Sequence, residues 1–226
     1  MQKVVVISGA NGGLGKAVTN AFLATGATVV GVSREISQSE FASANFHARP
    51  ADMGTSEGAR KLIDGVVAEF GRVDAVVNLV GAFEMGKPVE EADAWDKMLT
   101  LNFRVALHVF SAALPHMKKQ GAGRLIGIGA KTALEPAALM GPYNVSKAAL
   151  VSLVRTIARE NKDTGVTANA VLPGTMDTPA NRAAMPDVNP ARWVRPTDVA
   201  ELLVYLASDA SGPMTGAVIP LLGADS

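Results

Sequence analysis

Apolar residues follow two alternating patterns along the chain, one typical of buried strands and the other of helices. Runs such as VVVI near the start and the AVV of AVVN further on are apolar throughout, which suits strands of a parallel sheet that is covered on both faces. The predicted strands cover residues 3–7, 27–32, 46–48, 74–78, 123–128, 166–172 and 217–221. Because helical segments separate these strands, the pattern predicts a doubly wound α/β sandwich of three layers around a parallel sheet of about seven strands.

The predicted helices have apolar residues at spacings of three and four positions, which gives each helix one apolar face. They cover residues 13–25, 56–70, 92–119, 143–161 and 197–208. Pro115 is a candidate break in the third helix, Thr197 is an N-cap or first-turn residue of the last, and residues 33–45 form a loop or a short, weak helix. No repeat, charge run or linker interrupts the pattern, so a single domain spanning residues 1–226 is expected.

Composition narrows the classes of function. The chain has 21 basic and 21 acidic residues and no block of like charge, which argues against a nucleic-acid-binding protein. It has no cysteine, which excludes disulfides and thiolate ligands, and His47, His108 and His116 show no metal-ligand spacing, so no metal site is expected. A glycine-rich loop begins at Gly9, too early for a signal peptide, and apolar runs fall short of the roughly 20 residues that span a bilayer. A cytoplasmic protein without a membrane partner is therefore expected.

The first predicted strand leads directly into a glycine-rich loop that opens the first helix. Gly9 permits a sharp turn, Gly13 lets the backbone approach a pyrophosphate, and Gly15 allows close packing of the helix on the strand. Free N–H groups at the start of the helix would meet the phosphate charge. A purely structural turn is the alternative, but the position between a buried strand and an amphipathic helix favours a dinucleotide-binding loop. Its residues are Gly9, Asn11, Gly12, Gly13, Leu14 and Gly15.

The end of the second strand carries the residues that are expected to distinguish the two nicotinamide dinucleotides. A carboxylate at this point bonds a ribose 2′-hydroxyl, whereas an arginine pairs with a 2′-phosphate. The sequence has Ser33 and Arg34, so NADPH is expected to be preferred, with NADH as the second choice and a merely solvated Arg34 as the structural alternative. Asp52 and Met53, just past the third strand, are expected near the adenine unless they form only a surface turn.

Tyr143 and Lys147 lie four residues apart at the start of a predicted helix and therefore share a face. A free tyrosine has a pKa of about 10, which is too high for ready proton exchange near neutrality. A nearby ammonium favours the phenolate, so Lys147 is expected to lower the pKa of Tyr143 into the range useful for acid–base catalysis. The YxxxK pattern is common by chance, and only its combination with the glycine loop makes it specific.

At this point the sequence resembles the short-chain dehydrogenase/reductase family over nearly its whole length, which implies a Rossmann-type fold. The matching pieces are SGANGGLG, Asn78-Leu79-Val80-Gly81, Asn102 in TLNF, YNVSK, Pro173-Gly174-Thr175-Met176-Asp177-Thr178 and Thr215-Gly216. The resemblance implies that Tyr143 is the proton donor or acceptor and that Lys147 holds the ribose hydroxyls. It also implies that Asn102 anchors a relay water and that Thr178 contacts the nicotinamide carboxamide. For Asn78 and Asn102, capping of a strand or helix is the alternative. The remaining residues that it places at the cofactor are Asn78, Gly81, Pro173, Gly174, Thr175 and Met176.

One departure from the family concerns its catalytic serine. The position 13 residues before the tyrosine is Ala130, and a methyl group cannot donate a hydrogen bond to a substrate carbonyl. Losing one positioned donor costs roughly 2.7–4 kcal/mol of transition-state stabilisation. Thr132 replaces the serine only if the loop shifts, and the alternative is a substrate that needs no such donor.

The residues around this departure resemble the dihydropteridine-reductase-like branch of the family, which lacks the serine. The similar stretches are GAKTAL, AVLP, Asp177-Thr178-Pro179-Ala180-Asn181-Arg182 and Met185-Pro186. A quinonoid dihydropterin is electron-poor and accepts a hydride readily. Ala130, Lys131, Thr132 and Arg182 are then candidate substrate contacts, although Arg182 alternatively is only solvated. The branch uses NADH with an acidic residue at the end of the second strand, and Arg34 departs from that pattern.

Three functions remain open from the sequence. The first is an NAD(P)H-dependent reductase of quinonoid dihydropteridine, and the second is a general carbonyl reductase or alcohol dehydrogenase of the same family. The third is a non-catalytic NADP(H)-binding sensor, against which the intact pair of Tyr143 and Lys147 argues. Residues 173–196 are expected to form a substrate loop that acts as a mobile lid, with Trp193 packing it onto the body. The resemblance also implies a small-molecule substrate and a homodimer or homotetramer, with the helices of the fourth and fifth crossovers at the interface.

Overall fold

The computed structural model describes residues 2–224, and in this part of the chain seven parallel strands form one sheet. The strands are β1 (Val4–Ser8), β2 (Thr28–Ser33), β3 (Phe46–Pro50), β4 (Ala75–Asn78), β5 (Gly123–Ile128), β6 (Val166–Pro173) and β7 (Val218–Leu221). Their order in the sheet is β3-β2-β1-β4-β5-β6-β7, so the direction of winding reverses between β1 and β4. The predicted doubly wound, Rossmann-type sheet is confirmed.

Helices cover both faces of the sheet. They are α1 (Gly13–Ala24), α2 (Ser56–Phe70), α3 (Trp95–Leu99), α4 (Val105–Gln120), α5 (Gly141–Glu160), α6 (Pro179–Ala184) and α7 (Pro196–Leu206). One core contains Val4 and Val6 with residues of α2, α4 and α5, and the other contains Val5 and Ile7 with residues of α1 and α7. Because successive side chains of a strand point to opposite faces, β1 must be apolar at every one of these positions.

Most predicted boundaries lie within two or three residues of the observed ones, and the differences have local causes. The candidate break at Pro115 is wrong, because α4 continues through it. Pro115 lies on the exposed side of the helix, where water can satisfy the carbonyl that the ring leaves unpaired. α7 begins at Pro196 after Arg195, which makes Thr197 a first-turn residue rather than the N-cap. The stretch 33–45 contains a single 3₁₀ turn, Gln38–Glu40.

The helical stretch Trp95–Gln120 is long and apolar enough to cross a membrane by length and composition alone. In this fold it packs against the sheet and α2, with Val109, Phe110 and Met117 fully buried. Val105 and Ala113 are buried in the same core. These buried residues of the stretch therefore serve the core of the domain.

The segment 173–196 contains the short helix α6, which the sequence pattern did not predict. Thr178 caps this helix by accepting a hydrogen bond from the backbone N–H of Asn181 at 3.3 Å. The two ends of the segment are joined where Val194 N donates to Thr175 O and Asp177 N donates to Val194 O, both at 2.8 Å. Trp193 is buried, which agrees with the prediction that this side chain packs the segment onto the body.

Candidate active site

The strand ends at the reversal point open onto a cleft of about 980 Å³. This is the position at which doubly wound sheets bind ligands. The predicted cofactor residues that line the cleft are Gly9, Gly12, Gly13, Leu14, Gly15, Ser33, Arg34, Asp52, Met53, Gly81, Met176 and Thr178. The structure thus brings together in one cleft most of the residues that the motifs singled out.

The glycine loop is shaped by close backbone contacts. A Cβ atom on Gly15 would lie 2.0 Å from the carbonyl oxygen of Gly9, so α1 can approach β1 only without a side chain there. Gly9 itself has φ +75°, a backbone conformation that favours glycine. α1 begins after Gly12 with no side-chain cap, which leaves its first N–H groups to a ligand. These features fit a bound pyrophosphate.

Arg34 lies exposed on the rim of the cleft. Within residues 2–224 its guanidinium makes no hydrogen bond or ion pair, so it can meet a phosphate without breaking an existing contact. Asp52 caps the adjacent turn by accepting from Gly54 N at 2.9 Å, and Met53 is buried with its carbonyl 3.3 Å from His108 Nδ1. Asp52 and Met53 therefore form both a turn and a cleft wall.

Asn78 joins β1 to β4 and keeps one donor unused. The Ser8 hydroxyl donates to Asn78 Oδ1 at 2.6 Å, and Ser8 and Asn78 are register partners. Asn78 Nδ2 is buried and has no hydrogen-bond partner in the described part of the chain. An unsatisfied buried donor costs about 1–3 kcal/mol, and a bound group that accepts from it would remove this cost. Asn78 thus links the two strands through its side chain and also has a donor free for a ligand.

The predicted catalytic pair lies in the first two turns of α5. Lys147 Nζ is 5.9 Å from the centroid of the Tyr143 ring and donates to the carbonyl oxygen of Ile128 at 2.8 Å. A Cβ atom on Gly81 would lie 3.2 Å from Lys147 Nζ, which places the ammonium beside the wall of the cleft. Lys147 therefore lies against the cleft wall at Gly81 with Tyr143 next to it, although neither side chain is among the residues that line the cleft.

Burial sets the protonation of both groups. It lowers the pKa of Lys147 to about 8 and raises the pKa of Tyr143 to about 12. The expectation that the pKa of Tyr143 lies in the range useful for acid–base catalysis is not met in this structure, because desolvation of the phenolate raises that pKa. At neutral pH the pair consists of a protonated phenol and a predominantly charged lysine.

Asn102 lies in a π-helical turn, Thr100–Arg104, between α3 and α4. It is fully buried, and its side chain accepts from Ala82 N at 2.8 Å and donates to Ala82 O at 3.0 Å. It also lies 3.0 Å from Ser146 Oγ, whose hydroxyl donates to Tyr143 O at 2.8 Å. Asn102 therefore ties the loop after β4 to the start of α5, and the role with a relay water stays a prediction.

None of the four candidate substrate residues is among those that line the cleft. Ala130 is buried at the end of β5 in an extended conformation, and the buried hydroxyl of Thr132 has no hydrogen-bond partner within residues 2–224. The Lys131 ammonium lies 3.5 Å from Glu135. Arg182 forms a two-point ion pair with Asp177 at 2.5 and 2.8 Å, so its guanidinium secures α6 rather than lying free for a substrate.

Some predicted cofactor residues lie outside the cleft wall. Asn11 donates instead to Glu35 O at 2.7 Å and to Glu40 at 3.2 Å, so its side chain fastens the glycine loop to the segment after β2. Pro173, Gly174 and Thr175 form the base of the 173–196 segment, and Gly174 N donates to Leu221 O at 2.9 Å. Backbone hydrogen bonds to Leu221 and Val194 therefore fix Gly174 and Thr175 in place.

Other residues at the site were not identified from the sequence. The π-helical turn brings three further residues to the cleft wall: Thr100, Leu101 and Val105. No local sequence pattern predicts that turn. Phe83 packs its ring edge-to-face on Tyr143, with centroids 4.9 Å apart. Its position two residues past Gly81, in the loop that follows β4, was an available signal. No group of three or more His, Asp or Glu side chains able to hold a metal is found among the described residues.

Comparison with known proteins agrees with this geometry. A family model described as short chain dehydrogenase matches residues 3–189. The chain is 28% identical over 237 residues to the 3-oxoacyl-(acyl-carrier-protein) reductase FabG of Thermotoga maritima, covering 98% of this chain and 96% of the relative. The solved structure of ElxO with NADP bound has a TM-score of 0.92 at 27% identity, covering 99% of this chain and 98% of that one. NAD+-bound xylitol dehydrogenase shares the fold, with a TM-score of 0.88 at 23% identity and 98% coverage of both chains.

Proposed function

The chain belongs to the short-chain dehydrogenase/reductase family and is an oxidoreductase, and from this premise we propose that it reduces a small organic acceptor with NADPH, using Tyr143 as the proton donor. The observation that carries the proposal is the placement of Tyr143 and Lys147 beside the cleft. Lys147 Nζ approaches Gly81 in the cleft wall, and Tyr143 lies one helical turn before it. A proton donor and a buried cation therefore border the space for a dinucleotide.

The cleft fits a nicotinamide dinucleotide. The uncapped start of α1 and the glycine loop would hold the pyrophosphate, and the spare Nδ2 donor of Asn78 would bind a group near the end of β4. Lys147 would bind the ribose hydroxyls, and Thr178 would contact the carboxamide. When bound in its reduced form, the cofactor supplies a hydride.

The protonation states suit reduction. With a pKa of about 12, Tyr143 holds its proton at neutral pH and can give it to the heteroatom of the acceptor. The acceptor gains one hydride at carbon or at a conjugated position and one proton from Tyr143, and NADPH is oxidised to NADP+. Lys147 remains predominantly charged below a pH of about 8 and stabilises the phenolate that the transfer leaves behind.

Arg34 supports the preference for NADPH. Its guanidinium lies at the end of β2 on the rim of the cleft, where a 2′-phosphate is expected. The similar ElxO structure is described with NADP bound, and the more distant xylitol dehydrogenase with NAD+. We therefore propose NADPH as the preferred cofactor and NADH as the weaker one.

Ala130 favours an acceptor that needs no hydroxyl donor. A quinonoid dihydropteridine meets this condition, because it is electron-poor and regains conjugation on reduction. Support for this acceptor comes from Ala130 and from the similarity of the 177–186 stretch to the corresponding branch of the family. We propose quinonoid dihydropteridine as the first candidate substrate.

A carbonyl compound is the second candidate. It is supported by the unpartnered hydroxyl of Thr132, two residues from Ala130, and by the similarity to a 3-oxoacyl reductase. A small movement of the Lys131–Ala133 turn would let this hydroxyl donate to a carbonyl oxygen.

An assay of NADPH oxidation tests the proposal. Chemically generated quinonoid dihydropterin and a reactive small diketone serve as the two acceptors, each with NADPH and with NADH. Turnover of either acceptor that is faster with NADPH supports the proposed function, and the faster acceptor identifies the substrate class. Tight NADPH binding with no turnover of these or a broad panel of carbonyl compounds would contradict it and would favour a cofactor-binding sensor.

A further inference from the structure

Exposed apolar side chains concentrate in the two loops that flank Tyr143. Within residues 2–224, eight large apolar side chains are exposed, and five of them lie in the loops after β4 and β5. These five are Phe83, Met85, Val89, Leu134 and Leu139. A contiguous exposed apolar surface on a folded domain usually marks a binding site.

Phe83, Met85 and Leu139 form what we term the apolar rim, and contacts join its members. Phe83 packs on Tyr143 at an interplanar angle of 85°. The two loops are held together where Gly86 N donates to Leu139 O at 2.8 Å. Met85, Leu139 and Pro142 line one small cavity of about 50 Å³, and Pro142 directly precedes Tyr143. The rim is therefore continuous with the catalytic tyrosine.

The backbone at Leu139 is strained. Its φ is +61°, and it is the one non-glycine residue with positive φ in the described part of the chain. This conformation costs an L-residue roughly 1–2 kcal/mol. The Leu139 side chain is nevertheless 48% exposed, so burial of this side chain does not offset the cost of the strained backbone. Strain of this kind is typical of ligand-binding segments.

The charged residues that line the cavity with Met85 and Leu139 are already paired within the described part of the chain. The pairs are Lys87 with Asp93 and Lys97 with Glu84. An anionic substrate would have to displace a carboxylate to gain a salt bridge, and exposed pairs of this kind give little net energy in any case. The charge pattern favours a neutral substrate.

We propose that the apolar rim is the substrate subsite and that it takes the aromatic or extended alkyl group of a neutral acceptor. This inference rests on the second candidate of the proposed function, a carbonyl acceptor whose reducible group lies at Tyr143; a quinonoid dihydropteridine, whose ring system is polar, would not use this subsite. It adds a substrate class: the part of the molecule that is not reduced is apolar and uncharged.

A series of methyl ketones tests this inference. The acceptors are 2-butanone, 2-hexanone, 4-phenyl-2-butanone and, as an anionic counterpart, levulinate, each with NADPH. The variants are Met85→Gln and Leu139→Asn, which leave the ring contact of Phe83 with Tyr143 in place. Asparagine tolerates the positive φ at position 139. Tyr205→Gln is the matched control, because Tyr205 is similarly exposed at 45% but lies at the far end of α7.

The expected result is a rise of kcat/KM of about threefold for each added methylene that the rim covers. Met85→Gln and Leu139→Asn should each reduce kcat/KM for 4-phenyl-2-butanone by roughly fivefold or more and leave 2-butanone unchanged. Tyr205→Gln should change nothing. Equal rates along the series, a preference for levulinate, or equal losses for all ketones would overturn the inference even if reduction itself is observed.

A binding measurement separates the subsite from the chemistry. Binding of 4-phenyl-2-butanone to the enzyme with NADP+ is followed by ligand-observed NMR for the wild type and the same variants. If no ketone is reduced but binding weakens in Met85→Gln and not in Tyr205→Gln, the subsite stands and the proposed function fails for ketones. Binding that is absent, or unaffected by Met85→Gln and Leu139→Asn, overturns the subsite.

Discussion

Lys147 Nζ donates a hydrogen bond to the carbonyl oxygen of Ile128 across 2.8 Å, which fixes the ammonium at the carboxyl end of β5. The carbonyl is a neutral partner, and no carboxylate pairs with this lysine in the part of the chain that the structure describes. Burial is therefore not offset by charge, and the pKa of Lys147 falls from 10.5 to about 8. The Lys147 ammonium is therefore a buried and incompletely compensated charge at the point where the ribose of a cofactor is expected.

The first prediction is a dependence of stability on pH that Lys147 causes. Because the lysine pKa is lower in the folded state, the unfolded chain binds more protons between about pH 8 and 10.5. The free energy of unfolding should therefore rise across this window by up to roughly 3 kcal/mol, relative to Lys147→Met, and the difference should be constant below it. Urea unfolding at several pH values measures this. An identical pH dependence in Lys147→Met and in the exposed-site control Lys61→Met would contradict the prediction.

The second prediction concerns two glycines in helices. Gly15→Ala places a Cβ 2.0 Å from Gly9 O and should destabilise the fold by roughly 3 kcal/mol or more. Gly65→Ala in α2 meets nothing within 4 Å and should stabilise it by about 0.5–1 kcal/mol through helix propensity. Chemical denaturation of both variants checks the signs. Similar stability of the two variants would show that α1 does not pack on the loop as described.

The third prediction separates the two candidate substrates. Ala130→Ser introduces a hydroxyl donor at the end of β5 and should raise kcat/KM for a carbonyl acceptor by roughly tenfold or more. It should leave reduction of quinonoid dihydropterin within about twofold, because that acceptor gains little from polarisation. Steady-state kinetics give kcat/KM for both acceptors in the wild type and in Ala130→Ser, and Ala133→Ser is the control. Equal effects on both acceptors would remove the link between Ala130 and substrate class.

The fourth prediction concerns cofactor choice. Arg34→Ser should weaken NADPH binding by roughly ten- to a hundredfold, because a charge-assisted bond to the 2′-phosphate is lost. NADH binding should stay within about twofold, and Arg60→Ser, an exposed arginine of α2, should change neither. Cofactor fluorescence titrations give both dissociation constants. Unchanged NADPH affinity would assign Arg34 to the solvated surface.

The parts of the fold that the sequence predicted well are those with local determinants. The helix Ser56–Phe70 has the predicted bounds, and the structure shows local causes for both: Thr55 caps its start, and Gly71, at φ +76°, ends it. The turn from β1 into α1 was predicted because Gly9 and Gly15 are required by its close backbone contacts. Short-range rules suffice at such positions.

The parts that were missed depend on tertiary contacts. The direction of the Tyr143 pKa shift follows from burial, which no spacing reveals. Arg182 was a candidate substrate contact, but its position one helical turn after Asp177 lets the two side chains pair. The π-helical turn that brings Leu101 to the cleft has no sequence pattern of its own. These features could be identified only from the folded structure.

The central claim is that Tyr143 donates the proton in an NADPH-dependent reduction. The most direct measurement compares Tyr143→Phe with the wild type in two assays, NADPH oxidation with the better of the two acceptors and equilibrium binding of NADPH. If Tyr143 donates the proton, turnover falls by roughly 10²–10⁴-fold, because general acid catalysis is lost, while the dissociation constant of NADPH stays within about twofold. Turnover that survives in Tyr143→Phe would contradict this role and place the proton donor elsewhere.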